Sequence, residues 1–402
     1  MKKFTKLSLV AAVAVAGLTS ANAKPLEEAI KDVEVSGTVT YRYDNFGDDN
    51  GAGEKTNANK YKINLNLSSK VNDYVKFNSR INVADGDTND FAAMDKTGTG
   101  KTGDINPGVN LVHAYFGLSV IPNTTVNVGK QGLATPWTVA TDNDGGEQTG
   151  TGIFSVTAVD NFVLGLAYFN QTNLQNIQLN NTNAPKGTFN GTEDIYAATL
   201  QANYGIVNAE AWYLNANDQF DTYTLAVHGK TDLADNAKIG YEVRYVSLDA
   251  GDIAKSLDSN SLLRVAVDGK VGIVNARVAY SVTDKDGGIT ALDTDAQNAS
   301  LGWRLNTLGK ADAKFLQTTI GVDIIDDLNL SVSYNNLEFD ATSKSVDYTG
   351  AKTTGTVKQD EYFAQLTYKM SKNLDGYIRY GKQDFDNNDE QNSGRLQVNY
   401  KF

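Results

Sequence analysis

Apolar and polar side chains alternate with a period of two in segment after segment of this chain, up to its last residue. In the final stretch, RLQVNYKF, apolar residues alternate with polar ones. The apolar residues are Leu396, Val398, Tyr400 and Phe402, and the polar residues are Arg395, Gln397, Asn399 and Lys401. A period of two is typical of a β-strand with one apolar and one polar face. A chain patterned in this way forms sheets, and each apolar face must be covered.

The same pattern appears near the start of the chain. VSGTVTYRYD (35–44), KYKINLNLS (60–68) and YVKFNSRINV (74–83) each place apolar residues on one face and polar or charged residues on the other. A soluble β-sandwich also alternates, so the strands alone do not identify the architecture.

The connections between strands are more informative than the strands. We predict eighteen strands, at 35–43, 60–69, 74–83, 109–118, 124–131, 152–158, 162–170, 192–203, 207–215, 220–229, 236–248, 260–268, 273–282, 314–323, 328–338, 359–369, 374–384 and 394–402. Their links alternate long and short, with 216–219 the one link of turn length on the long side. Short periplasmic turns and longer external loops are typical of outer-membrane β-barrels, so we predict an all-β transmembrane antiparallel barrel.

Two observations agree with this count. All five prolines lie outside the predicted strands, as the hydrogen-bond ladder requires. The segment ASLGWRL (299–305) also alternates between apolar and polar residues. A nineteenth strand would interrupt the alternation of long and short connections, so we assign this segment to a loop over 283–313.

The first 23 residues have the pattern of a secretory signal peptide. Three lysines precede an apolar stretch, Leu7 to Leu18, and ANA (21–23) supplies small residues for cleavage. The apolar stretch is shorter than the roughly 20 residues of a membrane-spanning helix. We therefore predict cleavage after Ala23 and one barrel domain over 24–402.

Composition excludes several classes of function. The chain has no cysteine, and its two histidines, His113 and His228, lie far apart in sequence. Loss of the three signal-peptide lysines takes the formal charge from −12 to −15, so nucleic acid is not an expected partner. GTGKTG (98–103) lacks the spacing and the following helix of a phosphate-binding loop. No catalytic motif is present, and we predict that the protein is not an enzyme.

The last strand is expected to pair with the first and so close the barrel without a free edge. Its apolar face then meets lipid and its polar face the lumen. Phe402 would lie in the aromatic girdle at the periplasmic side, with Tyr400 two residues deeper on the same face. We predict that Tyr400 and Phe402 also form the recognition signal for the barrel-assembly machinery.

Three stretches resemble the Campylobacter major outer membrane protein family: KPLEEAIKDVEVSGTVTYRYD (24–44), VGKQ (128–131) and the terminal LQVNYKF. The resemblance is strong at the N-terminus, short at the other two places and patchy in the loops. It implies an eighteen-stranded, homotrimeric general-diffusion porin that prefers cations. Trimerisation follows only from the resemblance.

The polar faces supply candidate pore residues. A basic wall is predicted on the first three strands, from Arg42, Lys60, Lys62, Lys76 and Arg80, and further arginines lie at polar-face positions of later strands: Arg244, Arg264, Arg277, Arg379 and Arg395. Opposite charge comes from the loop over 132–152, which carries Asp142, Asp144 and Glu147. Third external loops of trimeric porins fold inward, so we expect this loop to narrow the pore and face the basic wall.

The same three acids also form a possible calcium site, Asp142, Asp144 and Glu147, although their spacing is not that of an EF-hand. No cofactor is required for the predicted function. The family resemblance is compatible with calcium, and the sequence leaves this binding open.

The predicted function is a water-filled outer-membrane channel of a Gram-negative bacterium for ions and small hydrophilic solutes, weakly selective for cations. Outer-membrane lipid and lipopolysaccharide are the expected surroundings. Two alternatives remain open: a substrate-specific channel, and an adhesin or structural barrel whose long loops bind other surfaces.

Overall fold

The computed structural model describes residues 33–48, 56–85, 90–95, 101–104, 106–142, 144–174, 191–249, 251, 259–341, 354–385 and 390–402. The predicted signal peptide, 1–23, lies outside these ranges. Among the described residues, no helix is long and apolar enough to cross a bilayer.

The described chain forms twenty strands. They are β1 (Val33–Asp48), β2 (Thr56–Asn72), β3 (Val75–Ala84), β4 (Ala92–Asp95), β5 (Lys101–Thr102), β6 (Gly108–Leu118), β7 (Thr124–Gly132), β8 (Thr149–Val159), β9 (Phe162–Thr172), β10 (Ile195–Tyr204), β11 (Val207–Ala216), β12 (Phe220–Ala234), β13 (Ala237–Asp249), β14 (Asn260–Val271), β15 (Val274–Thr283), β16 (Ala311–Ile325), β17 (Leu328–Asp340), β18 (Thr356–Lys369), β19 (Leu374–Asp384) and β20 (Glu390–Lys401).

Eighteen of these strands close an antiparallel barrel, as predicted. Each barrel strand pairs with its neighbour in the chain, β3 pairs with β6, and β20 pairs with β1. The short strands β4 and β5 belong to the connection between β3 and β6, where β4 pairs with β2 beyond the end of β3.

The barrel closes at the last residue of the chain. The amide of Phe402 donates to the carbonyl of Gly37 (3.1 Å), and the amide of Gly37 donates to the carbonyl of Phe402 (2.8 Å). The register continues through Thr38 opposite Lys401 up to Asp48 opposite Gln391. The predicted pairing of the last strand with the first is confirmed.

The two ends of the barrel differ as the sequence predicted. Eight connections at one end, the turn end, are short, the longest being 119–123. The connections at the other end, the loop end, are longer, apart from 217–219 and 385–389. Residues 284–310 form one of these loops and contain the segment 299–305, which is not a barrel strand.

Strand β12 shows how the two faces are used. Tyr223, Leu225 and Val227 are exposed on the outside, while the intervening Thr222, Thr224 and Ala226 are buried inside the barrel. Apolar side chains that face outward around a closed barrel form the surface that meets lipid.

The inward faces are not polar all the way round, although the polar face of each strand was expected to line the lumen. From β8 to β13 the inner wall carries buried apolar side chains that include Phe154, Leu214, Phe220 and Leu248. They pack against Trp137, Ile289 and Leu292 of two loops inside the barrel. The wall is apolar here because it holds protein instead of water.

Candidate functional site

The loop between β7 and β8, residues 133–148 and here called loop 3, folds into the barrel as predicted. It forms a hairpin held by backbone hydrogen bonds from Leu133 to Gln148 (2.9 Å) and from Gln148 to Val139 (2.8 Å). Its Trp137 is fully buried in the apolar cluster described above. An indole buried in this way anchors the loop to the inner wall.

Glu147 ties the far side of loop 3 to the basic wall. Its carboxylate accepts two hydrogen bonds from Arg80, from Nε (2.7 Å) and Nη2 (2.6 Å), and lies 3.4 Å from Nζ of Lys62. The side chains of Glu147 and Lys62 have no solvent-exposed surface. Glu147 is therefore part of the barrel's internal packing and does not face open water.

Asp142 and Asp144 lie beside the same wall. Arg42 Nη2 contacts Asp144 Oδ1 at 2.5 Å, and Gln397 donates to the same oxygen at 2.7 Å. Lys62 donates to the backbone carbonyls of Asp142 (2.8 Å) and Gly145 (2.6 Å). The side chain of Asp144 is 60% exposed, so its charge reaches the lumen despite the contact with Arg42.

The remaining residues of the predicted wall do not meet the loop acids. Lys60 pairs with Asp44 (3.0 Å), which also accepts from Arg395 (2.6 Å) on β20. Lys76 lies near the turn end, 3.3 Å from Glu34. The structure thus brings Arg42, Lys62 and Arg80 to loop 3, and leaves Lys60 and Lys76 in separate contacts.

A second loop, residues 284–310 and here called loop 7, also lies inside the barrel. Arg264 holds it through the carbonyls of Ala299 (2.7 Å) and Gln297 (2.8 Å). Four strands further round the barrel, Glu361 of β18 accepts from the backbone amides of Trp303 (2.7 Å) and Arg304 (2.6 Å). These hydrogen bonds satisfy loop backbone groups that would otherwise be buried without partners.

Loops 3 and 7 contact each other directly. The amide of Leu292 donates to the carbonyl of Trp137 (2.8 Å), and the amide of Asn298 donates to the carbonyl of Pro136 (2.9 Å). Gln148 Nε2 reaches the carbonyl of Leu292 and the carboxylate of Asp293, both at 2.9 Å. The lumen is therefore narrowed by two joined loops. Of these, only loop 3 was predicted to fold inward.

Where the loops meet, Asp142 of loop 3 lies near Asp293 and Asp295 of loop 7; we call these three residues the acidic seam. Burial, reinforced by Asp295, raises the pKa of Asp142 to about 6. Burial together with Asp293 and Asp144 raises the pKa of Asp295 to about 6, and burial also raises the pKa of Asp293. A raised pKa follows when carboxylates share a partly desolvated site with too little positive charge.

Sequence reasoning missed Asp293 and Asp295. A signal was available, because ALDTDAQ (291–297) places two acids within a long loop that also carries Ile289, Trp303 and Leu305. Large apolar residues in a long connection indicate that the loop packs against something.

The described residues do not gather a metal site. No group of three or more histidine, aspartate or glutamate side chains is placed to hold an ion within the described ranges. The predicted trio is divided, because Glu147 is directed at Arg80 and Lys62 whereas Asp144 is directed at Arg42. The calcium hypothesis receives no support from this part of the chain.

The later arginines take several positions. Arg244 pairs with Glu210 (2.6 Å), and Arg264 with Glu242 (2.7 Å). Arg277 lies near the turn end beside Asp268 (2.8 Å). Arg379 and Arg395 lie on the inner wall of β19 and β20, which stands beside loop 3 through Gln397.

At the turn end, Tyr400 and Phe402 project outward from β20 and stack with ring centroids 5.9 Å apart. Both rings are more than two-fifths exposed on the outer surface. Both rings therefore face outward, and their place in an aromatic girdle stays a prediction.

Comparison with known proteins agrees with this architecture. The model of the Campylobacter major outer membrane protein family matches residues 1–402, the whole chain. A search of curated proteins finds no match.

Several solved structures have a similar fold. OpdQ of Pseudomonas aeruginosa has a TM-score of 0.71 at 14% identity, over 92% of this chain and 99% of its own. OprD of the same organism has a TM-score of 0.70 at 18% identity, over 95% and 96%. OccAB1 of Acinetobacter baumannii has a TM-score of 0.69 at 13% identity, over 95% and 98%. At these identities the likeness concerns the fold.

Proposed function

This chain belongs to the Campylobacter major outer membrane protein family, and from that premise we propose that it is a general-diffusion porin with a weak preference for cations. Family and fold together make it an outer-membrane channel. General diffusion and the cation preference are the finer part of the proposal, and they rest on the charges around loops 3 and 7.

The observation that carries the cation preference is the acidic seam. Asp142, Asp293 and Asp295 meet where two loops narrow the lumen, and their pKa values are raised by burial and by the charge of neighbouring carboxylates. The facing wall is different, because its positive charge is partly offset: Arg42 pairs with Asp144, and Lys60 and Arg395 share Asp44. Fixed charge at a constriction selects among ions because the protein walls focus its field.

General diffusion is supported by the pairing of the wall charges. A cation that already contacts a carboxylate attracts a passing solute weakly, since the fields of the two groups largely cancel beyond a few ångströms. We therefore expect small hydrophilic solutes to pass with discrimination by charge and size. The runner-up, a substrate-specific channel, is favoured by one observation: Arg304 and Arg379 have no carboxylate partner among the residues that the structure describes.

We further propose, from the family resemblance, that the protein assembles as a homotrimer in contact with lipopolysaccharide. Barrel insertion would depend on recognition of Tyr400 and Phe402 by the assembly machinery. The exposed terminal rings beside the closing pair of strands support that role.

The reversal potential in a planar bilayer under a KCl gradient tests the selectivity. Replacing Asp142, Asp293 and Asp295 together by Asn should lower the permeability ratio of cation to anion roughly severalfold at low salt, because charges a few ångströms apart interact by about 1 to 4 kcal/mol depending on the dielectric. The difference should shrink at high salt, where screening removes the field.

The matched control is Asp268→Asn, which removes a lumen carboxylate near the turn end that pairs with Arg277. It should leave the permeability ratio close to that of the wild type. If the triple variant keeps the wild-type reversal potential at low salt, the acidic seam does not set selectivity.

A further inference from the structure

The arginines of this chain divide into two groups. Of the eight arginines, six form an ion pair with a carboxylate: Arg42, Arg80, Arg244, Arg264, Arg277 and Arg395. Arg304 and Arg379 have no carboxylate partner among the described residues. Both lie on the same side of the lumen, where loop 7 meets β18 and β19.

Arg379 is surrounded by aromatic rings. Its guanidinium carbon lies 5.1 Å from the ring centroids of Trp303, Phe363 and Tyr377. Its Nε donates to Gln365 Oε1 (2.6 Å), which leaves the two terminal nitrogens without an acceptor in the described chain. Rings cover the faces of the guanidinium, so hydrogen bonding is directed to its edge.

Arg304 presents a second set of donors. Its guanidinium lies 4.5 Å from the centroid of Phe46, and its Nη1 is buried without an acceptor among the described residues. Nε1 of the neighbouring Trp303 is buried without an acceptor as well. A buried donor without an acceptor destabilises the fold, so two of them beside a second cationic group, Arg379, require a reason.

The nearby acceptors are already in use. Both carboxylate oxygens of Glu361 accept from the backbone amides of Trp303 and Arg304. Asp44, the next acid along the wall, is held by Arg395 and Lys60. The backbone of loop 7 therefore uses the acid that would otherwise neutralise Arg304.

We propose that Trp303, Arg304 and Arg379, the cationic shelf, form a binding site for the carboxylate of small organic acids that pass through the channel. A carboxylate is planar and offers two acceptors that match the edge of a guanidinium. It fits in the plane of Arg379 between the flanking rings, whereas a tetrahedral phosphate extends out of that plane. The proposal rests on the proposed function, because the acid must enter the lumen to reach the shelf.

The shelf also lies close to loop 3. Tyr377 beneath Arg379 donates to Gln397 Oε1 (3.0 Å), and Gln397 in turn donates to Asp144. A solute held by its carboxylate on the shelf therefore lies near the carboxylate of Asp144 on loop 3. Acids that also carry an ammonium group should stay bound longest, because this group can contact Asp144.

Current interruptions in single channels at neutral pH test this site. Sodium succinate added on one side of a bilayer in KCl should cause interruptions whose frequency rises with concentration. Succinamide, the neutral analogue of similar shape, should cause none. Arg379→Gln and Arg304→Gln should each shorten the interruptions at least about fivefold, which corresponds to the loss of a charge-assisted hydrogen bond.

Two further variants separate the shelf from general effects of charge. Arg379→Lys keeps the charge but loses the planar edge, and it should also shorten the interruptions. Arg277→Gln removes a lumen arginine that is paired with Asp268 near the turn end, and it should behave as the wild type. Wild-type conductance in KCl alone shows that each variant is folded.

The site is overturned if succinate leaves the KCl current of the wild type uninterrupted, or if Arg379→Gln and Arg304→Gln respond to succinate as the wild type does. Interruptions by inorganic phosphate as long as those by succinate would overturn the preference for a planar carboxylate. If the channel conducts KCl and succinate causes no interruptions, the carboxylate site is wrong but the proposed porin function is not. The failure of the site can therefore be distinguished from the failure of the proposed function.

Discussion

At the scale of single residues, burial separates the acids of loop 3 into two kinds. Glu147 is enclosed with Arg80 and Lys62, whereas Asp144 contacts Arg42 with most of its side chain in the lumen. The first kind holds the loop in place, and the second lies at the surface of the pore.

Glu147→Gln should therefore destabilise the barrel much more than Asp144→Asn. Removing one partner of a buried ion pair costs about 3 to 5 kcal/mol because the remaining charge is buried without compensation. An exposed pair is worth about 0 to 1 kcal/mol. Thermal unfolding of the purified proteins, followed by mobility in unheated and heated gels, compares the two, and equal melting temperatures would contradict the assignment.

The acidic seam predicts a pH dependence of selectivity. Because the pKa values of Asp142 and Asp295 are raised to about 6, these carboxylates are charged at pH 7.5 and become protonated as the pH falls through 6. Cation preference should thus decrease between pH 7 and 5. Carboxylates with ordinary pKa values would keep their charge over this range.

Reversal potentials across this pH range provide the measurement. The double variant Asp142→Asn with Asp295→Asn should have a flatter profile than the wild type. If the reversal potential of the wild type does not change down to pH 5, the acidic seam does not control ion entry.

At the scale of elements, β1 has no space for a side chain at Gly37, between β2 and the last residue of the chain. A Cβ placed there would lie 2.2 Å from the carbonyl oxygen of Asn64 and 2.7 Å from the ring of Phe402. The strand that closes the barrel and the terminal aromatic ring thus depend on the same glycine.

Gly37→Ala should lower the yield of closed barrel on refolding into lipid vesicles. Deletion of Phe402 should lower the yield as well, because it removes the residue that pairs with Gly37. The matched control is Gly269→Ala, since a Cβ at Gly269 on β14 meets nothing within 4 Å. Equal yields for Gly37→Ala and Gly269→Ala would show that the pairing of β1 with β20 tolerates the methyl group.

The strands and the loops were not equally predictable. Alternation located each barrel strand, but β1 was predicted over 35–43 and extends over Val33–Asp48. Beyond Asp44 the alternation reverses, because the polar Asn45 is exposed while Phe46 contacts Trp303 and Arg304 inside the barrel, and backbone pairing with β20 continues. Loop 7 was not predicted to fold inward, because its packing depends on contacts with β12 to β18 that no local pattern records.

At the scale of the whole molecule, the sequence predicted the strand number, the closure and the two unlike ends, because these follow from alternation and the lengths of connections. It did not predict the apolar inner wall of β8 to β13. Inward apolar residues do not differ locally from outward ones, and only the tertiary structure shows that two loops cover them.

The central claim is that two inward loops narrow the barrel and leave a water-filled path. Single-channel conductance of the purified full-length protein in a planar bilayer tests it most directly. We expect stable conductance steps that rise in proportion to KCl concentration at high salt, where screening removes the field of the acidic seam. Folded protein that inserts into the bilayer and carries no current would contradict it.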